Sequence, residues 1–575
     1  MLRRTQQPQR CDRVRSQVRA KQEPDRAASR QARRSDAAIA AAPVEGRRAT
    51  PDAEGAAINS RREVLGGAAA LAGAALAASV AAPARAAGPR RGEGEGEKVY
   101  ALTHVTVIDA TGAPPMRDMT VVVDGTRIAA VGKTGAVTPP AGARVVDLPG
   151  KYVIPGLIES HVHSAGPDGV VPPLYALAGV TTVREMRGDA LHHRWREEIQ
   201  GGRLLGPRWI IGGPIVDGRP SLHTHDTGSL IEVGNAREAR EAVRRTKRDG
   251  ADFVKVYSRL NRESYFAIAD ESRRQGIRFA GHCPDTVTIP EAVRTRHQTF
   301  EHMDALMLAT SAHEEEIRRG LAAIRVDGSQ DSFHRYRDWY KAVHPLEYKA
   351  VLGFDPRKAR ALFESLAADR CGVVPTLTVH RVLEVPENNR ETDEWKYLSA
   401  SMTGWWREVA EVMTGGRTPE ETRRIREIFE HKVRLVRSMR EAGVRVLAGT
   451  DTGDPYVVPG FALHDELGLF AGAGLTAMET LRSATSRPAR VFGIADKVGT
   501  VEKGKLADLV VLDADPLADI RNTRRIHALV VNGRLIAQDE RERLLKKVEE
   551  AAKADEAPAK TVAAARGCGC GGKHF

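Results

Sequence analysis

Cysteine is scarce in this chain: five residues among 575, too few and too scattered to staple a scaffold with disulfides. Aromatic residues are absent from positions 1–59, a stretch rich in Arg, Ala, Gln and Pro that cannot bury a core and is expected to be a disordered basic extension. Strong hydrophobicity is missing even from the candidate membrane span, 64–82. It covers about 19 residues, near the lower limit for crossing a bilayer, but its Ala and Gly make it only mildly apolar. Little net charge remains outside the N-terminal region. Residues 1–86 hold +8 of the total +12, so the basic balance gives no reason to expect a nucleic-acid partner. What is present, 42% hydrophobic and 28% charged residues, is the composition of a globular protein. The length calls for a large barrel or sheet domain with additions.

Residues 60–86 combine Ser60-Arg61-Arg62-Glu63-Val64-Leu65, the mildly apolar run and Ala84-Arg85-Ala86. Paired arginines before a weakly apolar segment and an A-x-A site resemble a twin-arginine export signal. The expected partner is the twin-arginine translocation machinery and the expected destination is periplasmic or extracellular, with an uncleaved membrane anchor as the alternative. At the other end, 541–575 is expected to be a charged helix and a flexible tail. Cys568-Gly569-Cys570 reads there as an oxidisable terminus rather than a metal site.

From 98 to 150, short β-type runs alternate with turns, including Asp124-Gly125 between two apolar runs, a hairpin signal. The pattern returns at 496–540 with Asn532-Gly533 as the turn. Neither piece has enough strands to stand alone, so a small β-sandwich built from both chain ends is expected to flank a central domain, 151–495. There, apolar runs at 153–158, 180–185, 208–211, 253–257, 277–281, 298–301, 373–377 and 444–449 alternate with helical segments such as 236–248 and 477–492, the latter capped by Thr476. Eight such units predict an α/β fold, a distorted (β/α)8 TIM barrel, with its site at the C-terminal ends of the strands. Two long connections, 305–370 and 380–440, are expected to be lids or helical layers that shape the substrate entrance.

The strand ends carry the chemistry. Ile154-Pro155-Gly156-Leu157-Ile158-Glu159-Ser160-His161-Val162-His163 ends a buried strand in two histidines whose side chains, two positions apart, share one direction. Imidazole is a common zinc ligand, so the pair is half of a metal site; taken alone it could equally be two polar residues in a turn. Strand four carries Lys255, strand five ends in His282, strand six in His302, and strand eight runs into Asp451. In a barrel all six converge on one mouth. A protonated lysine beside a dication would be repelled. Neutralised, the Lys255 amine can take up carbon dioxide, and the carbamate oxygens could bridge two divalent ions. His161 and His163 would hold one ion and His282 and His302 the other, with a hydroxide between them. Asp451 can coordinate the first ion and carry a proton from attacking water to the leaving atom; by itself, Gly449-Thr450-Asp451-Thr452-Gly453 reads as a turn.

Together with Val254-Lys255-Val256, Gly281-His282, Glu301-His302 and the later Lys503-Gly504-Lys505-Leu506-Ala507-Asp508, these pieces resemble the amidohydrolase superfamily of metal-dependent hydrolases over 102–535. The chain is similar to its prolidase-like and imidazolonepropionase-like branches. The resemblance implies hydrolysis of a C–N bond in a small molecule or dipeptide (amide, cyclic amide or Xaa-Pro), with zinc as the usual ion; a homo-oligomer is compatible with it. The first alternative is a mononuclear deaminase or imidazolonepropionase-like hydrolase in which Lys255 stays unmodified. The second is a catalytically silent binding or scaffold relative. Cys283-Pro284 after His282 departs from many relatives, which have a small polar or acidic residue there; the departure touches substrate contacts and not the ligands.

Four further residues are candidates for substrate contact. Tyr257 shares a face with Lys255 and could polarise a carbonyl or pack at the rim. His380, following strand seven, could reach substrate. His223 and His225 form a second His-x-His after strand three, read as surface more than substrate-facing because no buried strand precedes them closely. Glu185 and Arg187 are expected to pair with each other or to bind a substrate carboxylate.

Overall fold

Eight parallel strands frame the site: Leu157–Val162, Val180–Glu185, Arg208–Gly218, Phe253–Val256, Arg278–Gly281, Thr299–Glu301, Gly372–Val374 and Arg445–Val446, neighbours in that order. They are seen in a computed structural model that describes residues 99–225 and 228–555. The basic extension, the export-signal segment and Cys568-Gly569-Cys570 lie outside the described residues. Every pairing along the path is parallel, and apolar residues are buried on both sides, as helices outside a closed sheet require. The seam between the first and last strands is closed by backbone bonds. Ser160 N–H donates to the Ala448 carbonyl at 2.9 Å, Asp451 N–H to that of His161 at 2.9 Å, and His163 N–H to that of Thr452 at 2.6 Å. The result is a distorted (β/α)8 barrel whose last strands are very short.

The apolar run 153–158, expected as one barrel strand, is divided. Tyr152–Pro155 joins the flanking sheet and Leu157–Val162 the barrel. At Gly156 between them, a Cβ would lie 2.1 Å from Thr181 Oγ1, so only glycine lets the chain cross this close to the second strand. Other boundaries differ too, and the eighth strand, expected over 444–449, is confined to Arg445–Val446. The third strand runs on to Gly218. The seventh stops at Val374 and a helix, Leu377–Glu384, follows. The expected helix 477–492 is two, Ala477–Ser483 with Thr476 and Glu479 forming a capping box, and Ser486–Phe492.

Both chain ends build the flanking β-structure. Val99–Val107, Met116–Asp124, Arg127–Lys133, Arg144–Asp147 and Tyr152–Pro155 share one sheet with Leu509–Leu512, Ile526–Val531 and Arg534–Ile536. It curls until its ends meet, with Ile128 N–H on the Lys505 carbonyl at 2.9 Å and Ala507 N–H on that of Thr126 at 2.9 Å. Alternation assigns the faces. Leu509 and Val511 enter a private core with Leu102, Val121 and Val530, while Val510, Leu512 and Leu529 pack on the barrel.

The two long connections are largely helical, as expected. Ser332–Leu352, Pro356–Ala368, Ala400–Thr414 and Pro419–Glu441 dominate them. The first opens on Asp331, whose carboxylate accepts the N–H groups of Phe333 and His334, an N-cap that fixes where the helix begins.

Candidate active site

His161 Nε2 lies 3.4 Å from His163 Nε2 and 3.2 Å from Asp451 Oδ1, and His163 Nε2 is 3.4 Å from the same oxygen. The other carboxylate oxygen, Oδ2, is 3.7 Å from His302 Nε2. The His302 ring is centred 4.6 Å from His282 and 5.0 Å from His161. Asp451 therefore stands between the two histidine pairs. Lys255 adjoins them: it is fully buried, its Nζ has no hydrogen-bond partner, and it lies 5.7 Å from the centre of the Tyr257 ring. The six side chains meet although 290 positions separate His161 from Asp451, because each stands on or just beyond the C-terminal half of a barrel strand.

A shell behind the histidines fixes which nitrogen faces inward. His161 Nδ1 is 2.8 Å from Glu301 Oε2. Burial alone would raise Glu301, but the Arg184 guanidinium and the bond to His161 reverse this and hold its carboxyl far below the usual range. An ionised carboxylate only accepts, so Nδ1 carries a proton and Nε2 faces the centre. Arg184 donates from Nη2 to Glu301 Oε1 at 2.7 Å and from Nε to the Ser160 carbonyl at 2.7 Å. His282 Nδ1 lies 2.7 Å from Ser258 Oγ and His302 Nδ1 2.7 Å from Thr376 Oγ1, leaving Nε2 of each for the centre. Glu159 Oε1 accepts from His161 N–H at 3.1 Å and Thr450 N–H at 3.0 Å, tying the first ligand loop to the last.

The electrostatics fit a cation. Burial holds His163 and His282 well below the usual imidazole range and His302 down to about 3, so these rings are neutral, the form that ligates. Around His161, two imidazole nitrogens and a carboxylate oxygen converge, a donor set a divalent ion would satisfy. Among the described residues, His161, His163 and Asp451 place one ligand atom each within 4.8 Å of one another. Burial pushes the Lys255 amine down to about 8 against the opposing charges of Glu301 and Asp451. The Cys283 thiol, pushed up to about 12 by burial, donates to the Val287 carbonyl and stays protonated; it is not a ligand.

The site opens into a cavity of about 150 Å³. His163, His282, His302 and Asp451 form its floor, and Phe333, Tyr336, Trp339, Tyr340 and Val343, one face of Ser332–Leu352, form a wall. Tyr257 lies on this cavity with its hydroxyl bonded to that of Tyr336, and its ring is centred 3.9 Å from His282. His223 is not a surface residue. Its Nε2 meets Tyr336 Oη at 3.1 Å and its ring packs 5.0 Å from Tyr257, because the extended third strand delivers this loop back across the barrel mouth. His225 is 70% exposed, with Glu232 at 3.8 Å. His380 belongs to the helix Leu377–Glu384 rather than to a strand end, and its ring is centred 5.9 Å from His302. Glu185 spends its oxygens on the backbone N–H groups of Ser164 and Arg187, and Arg187 lines the cavity. Arg184, Glu301, Ser258, Thr376 and Tyr336 were not singled out from the sequence.

Comparison with known proteins places this geometry. The sequence model of the amidohydrolase family matches residues 175–536, a span that holds Lys255, His282, His302 and Asp451. The N-substituted formamide deformylase of Arthrobacter pascens is 41% identical over 99 residues, which is 15% of this chain and only 18% of that relative's length. An imidazolonepropionase of Mesorhizobium japonicum is 25% identical over 390 residues, covering 66% of this chain and 82% of its own. Among solved structures, a bottromycin amidohydrolase superposes with a TM-score of 0.62 at 23% identity, over 79% of this chain and 91% of its own. A putative prolidase from Bifidobacterium longum gives 0.54 at 25% identity, over 79% and 99%. With the family model covering most of the barrel and the second half of the flanking sheet, the chain belongs to the amidohydrolase family.

Proposed function

We propose that this chain hydrolyses a C–N bond in an amide, cyclic amide or Xaa-Pro dipeptide. Two divalent ions, zinc foremost, would be held by His161, His163, His282, His302, Asp451 and a carboxylated Lys255. The observation that carries this reading is Lys255, a fully buried amine without a hydrogen-bond partner among four imidazoles and a carboxylate. An ammonium ion left there without an acceptor would be costly. A neutral amine attacking carbon dioxide forms an N–C bond, loses a proton and turns a buried cation into an anion with two donor oxygens.

Divalent ions bound in this cluster would supply Lewis acidity and lower the pKa of water. The Asp451 carboxylate, with Oδ1 beside His161 and His163 and Oδ2 3.7 Å from His302 Nε2, would take a proton from the attacking water through Oδ2 and return it to the leaving nitrogen. The carbonyl carbon gains a C–O bond, the C–N bond breaks, and the amine leaves neutral. Tyr257, held by Tyr336, orients the carbonyl, and the apolar wall limits water to the reacting molecule. The arginine pair and A-x-A site of residues 60–86 support export of the enzyme through the twin-arginine machinery.

A one-ion reading has its own support. Among the described residues, the ligand atoms within 4.8 Å of each other are those of His161, His163 and Asp451, and a 5-methylthioadenosine/S-adenosylhomocysteine deaminase of Symbiobacterium thermophilum is 23% identical over 76% of this chain. Elemental analysis of wild type and Lys255→Ala, with turnover on Xaa-Pro dipeptides, cyclic amides and formamides, separates the readings. We expect near two ions per chain, fewer in Lys255→Ala, and loss of turnover with them. One ion in both proteins with activity intact selects the mononuclear reading, and a fully loaded enzyme inert on the whole panel rejects hydrolysis of these bonds.

A further inference from the structure

The cavity has a second polar end. Asp304, Glu347 and His380 line it, and behind them the buried Lys432 amine lies 2.7 Å from Asp304 Oδ1, 2.5 Å from Glu384 Oε1 and 3.8 Å from Glu347 Oε1. His380 Nδ1 is 2.9 Å from Glu384 Oε1. Because its ring is centred 5.9 Å from that of His302, this end adjoins the histidine cluster. Three carboxyl groups share one lysine here. Asp304, Glu384 and Lys432 already tie the loop after the sixth strand to the helices Leu377–Glu384 and Pro419–Glu441, so a structural role accounts for them.

Glu347 joins that tie through a hydrogen bond with Asp304 and the 3.8 Å approach of Oε1 to Lys432, which leaves Oε2 over. It is 2% exposed, yet its Oε2 has no hydrogen-bond partner, and the nearest imidazole nitrogen, His344 Nε2, is 4.0 Å away. Further buried atoms on the same cavity without a hydrogen-bond partner include His380 Nε2, Trp339 Nε1 and Arg318 Nη2. A buried acceptor left unsatisfied is costly, more so when the group is charged, and a cation arriving there would meet it. The groups beside it favour a cation. Tyr336, Trp339 and Tyr340 come from the same helix face as Glu347, and aromatic faces attract ammonium and guanidinium groups. The Arg318 guanidinium, which also lines the cavity, is bound to the Asp285 and Val287 carbonyls and to Glu314. Burial, with Asp304 and Glu384 adding to it against Lys432, pushes the Glu347 carboxyl well above its usual range, the state that an arriving positive charge would relieve.

We infer that this end of the cavity recognises a cationic group on the substrate, an ammonium or a guanidinium, with Glu347 as its acceptor and the aromatic face of Ser332–Leu352 as its walls. The inference rests on the proposed hydrolase only for the word substrate. It adds that the molecule cut at the histidines carries a positive charge, joined to the scissile bond through an apolar or aromatic segment.

The test is binding to the metal-loaded, full-length protein by titration calorimetry. The probes are phenethylammonium, its uncharged counterpart 2-phenylethanol, and benzylguanidinium, which stays protonated and so cannot ligate an ion through nitrogen. A charge-assisted bond predicts that both cations bind wild type about tenfold or more tighter than the alcohol, and that Glu347→Gln removes most of this advantage. Equal binding of cations and alcohol to wild type overturns the inference, as does an undiminished preference in Glu347→Gln, which direct coordination of the amine would give. The benzylguanidinium comparison needs no variant, so equal binding there overturns the inference even if Glu347→Gln fails to fold. Turnover confined to uncharged amides would leave the hydrolase standing and sink the cation site.

Discussion

Replacing Glu301 by Gln probes the shell behind the histidines more sharply than deleting a ligand. Glu301 gives Oε2 to His161 Nδ1 at 2.8 Å and Oε1 to Arg184 at 2.7 Å, whereas glutamine has one accepting end and one donating end. If the amide oxygen stays with Arg184, the NH₂ faces His161 Nδ1 and forces the other tautomer, so Nε2–H points at Asp451 and His163 and the ring ceases to be a ligand. If the oxygen turns to His161, the buried guanidinium faces an NH₂ and loses its countercharge, at about 3–5 kcal/mol. The first arrangement is the less costly. Partners of metal-ligating histidines contribute about 10–100-fold to affinity, and loss of the ligand itself places Glu301→Gln near the upper figure, about 2.7 kcal/mol. Chelator competition reads the affinity, and thermal melting followed by circular dichroism checks the fold. Zinc affinity within about threefold of wild type in a folded Glu301→Gln protein would refute the tautomer argument.

Two further outcomes follow from the same cluster. Asp451→Asn removes the proton carrier while keeping its shape, so turnover should fall by about 10²–10⁴-fold with the melting temperature preserved; a rate close to wild type excludes Asp451 from proton transfer. Lys255 supplies a pH dependence. Its amine is pushed from 10.5 down to about 8, so the neutral form that reacts with carbon dioxide predominates above about pH 8. Reactivation of chelator-treated protein by zinc and bicarbonate should rise with pH and level off there, and a midpoint near 10.5 would mean that Lys255 behaves as an ordinary exposed lysine. Over the interval from about 8 to 10.5 the unfolded lysine still holds its proton and the folded one does not, so the metal-free chain should gain stability as pH rises through it.

The residues of the cluster were legible because each sits where a local pattern changes. An apolar run ending in His161-Val162-His163 needs only the period of an extended chain to aim two rings together, and Lys255 is conspicuous as an amine in a strand buried on both faces. Their supports were not legible by the same means. Arg184 was readable in principle, since a charge inside the buried strand Val180–Glu185 demands a partner, but the partner, Glu301, stands four strands away and is named only by closing the barrel. The third strand misled through Gly212-Gly213-Pro214, which reads as a break. Pairing with Val180–Glu185 ends at Ile211, and Phe253–Val256, then Leu230–Val233, carry the chain through it, and this is why His223 was left on the surface.

The inserted helices were visible as helices and opaque in purpose. The spacing of Phe333, Tyr336, Tyr340, Val343 and Glu347 follows a helical face, yet such a face is satisfied equally by a core and by a cavity. What separates the two is Glu347 itself. A carboxylate on an apolar face calls for a cation, and the cation of its own cluster, Lys432, is nearer to Asp304 and Glu384. The barrel strands therefore determine which bond can be cut, through residues whose roles follow from position at a strand end. The helices added to the barrel determine what may approach, through groups whose roles follow from what they leave unsatisfied. Substitutions along 332–352 should accordingly change the choice of substrate while metal affinity stays constant, and substitutions at Arg184 or Glu301 should do the reverse.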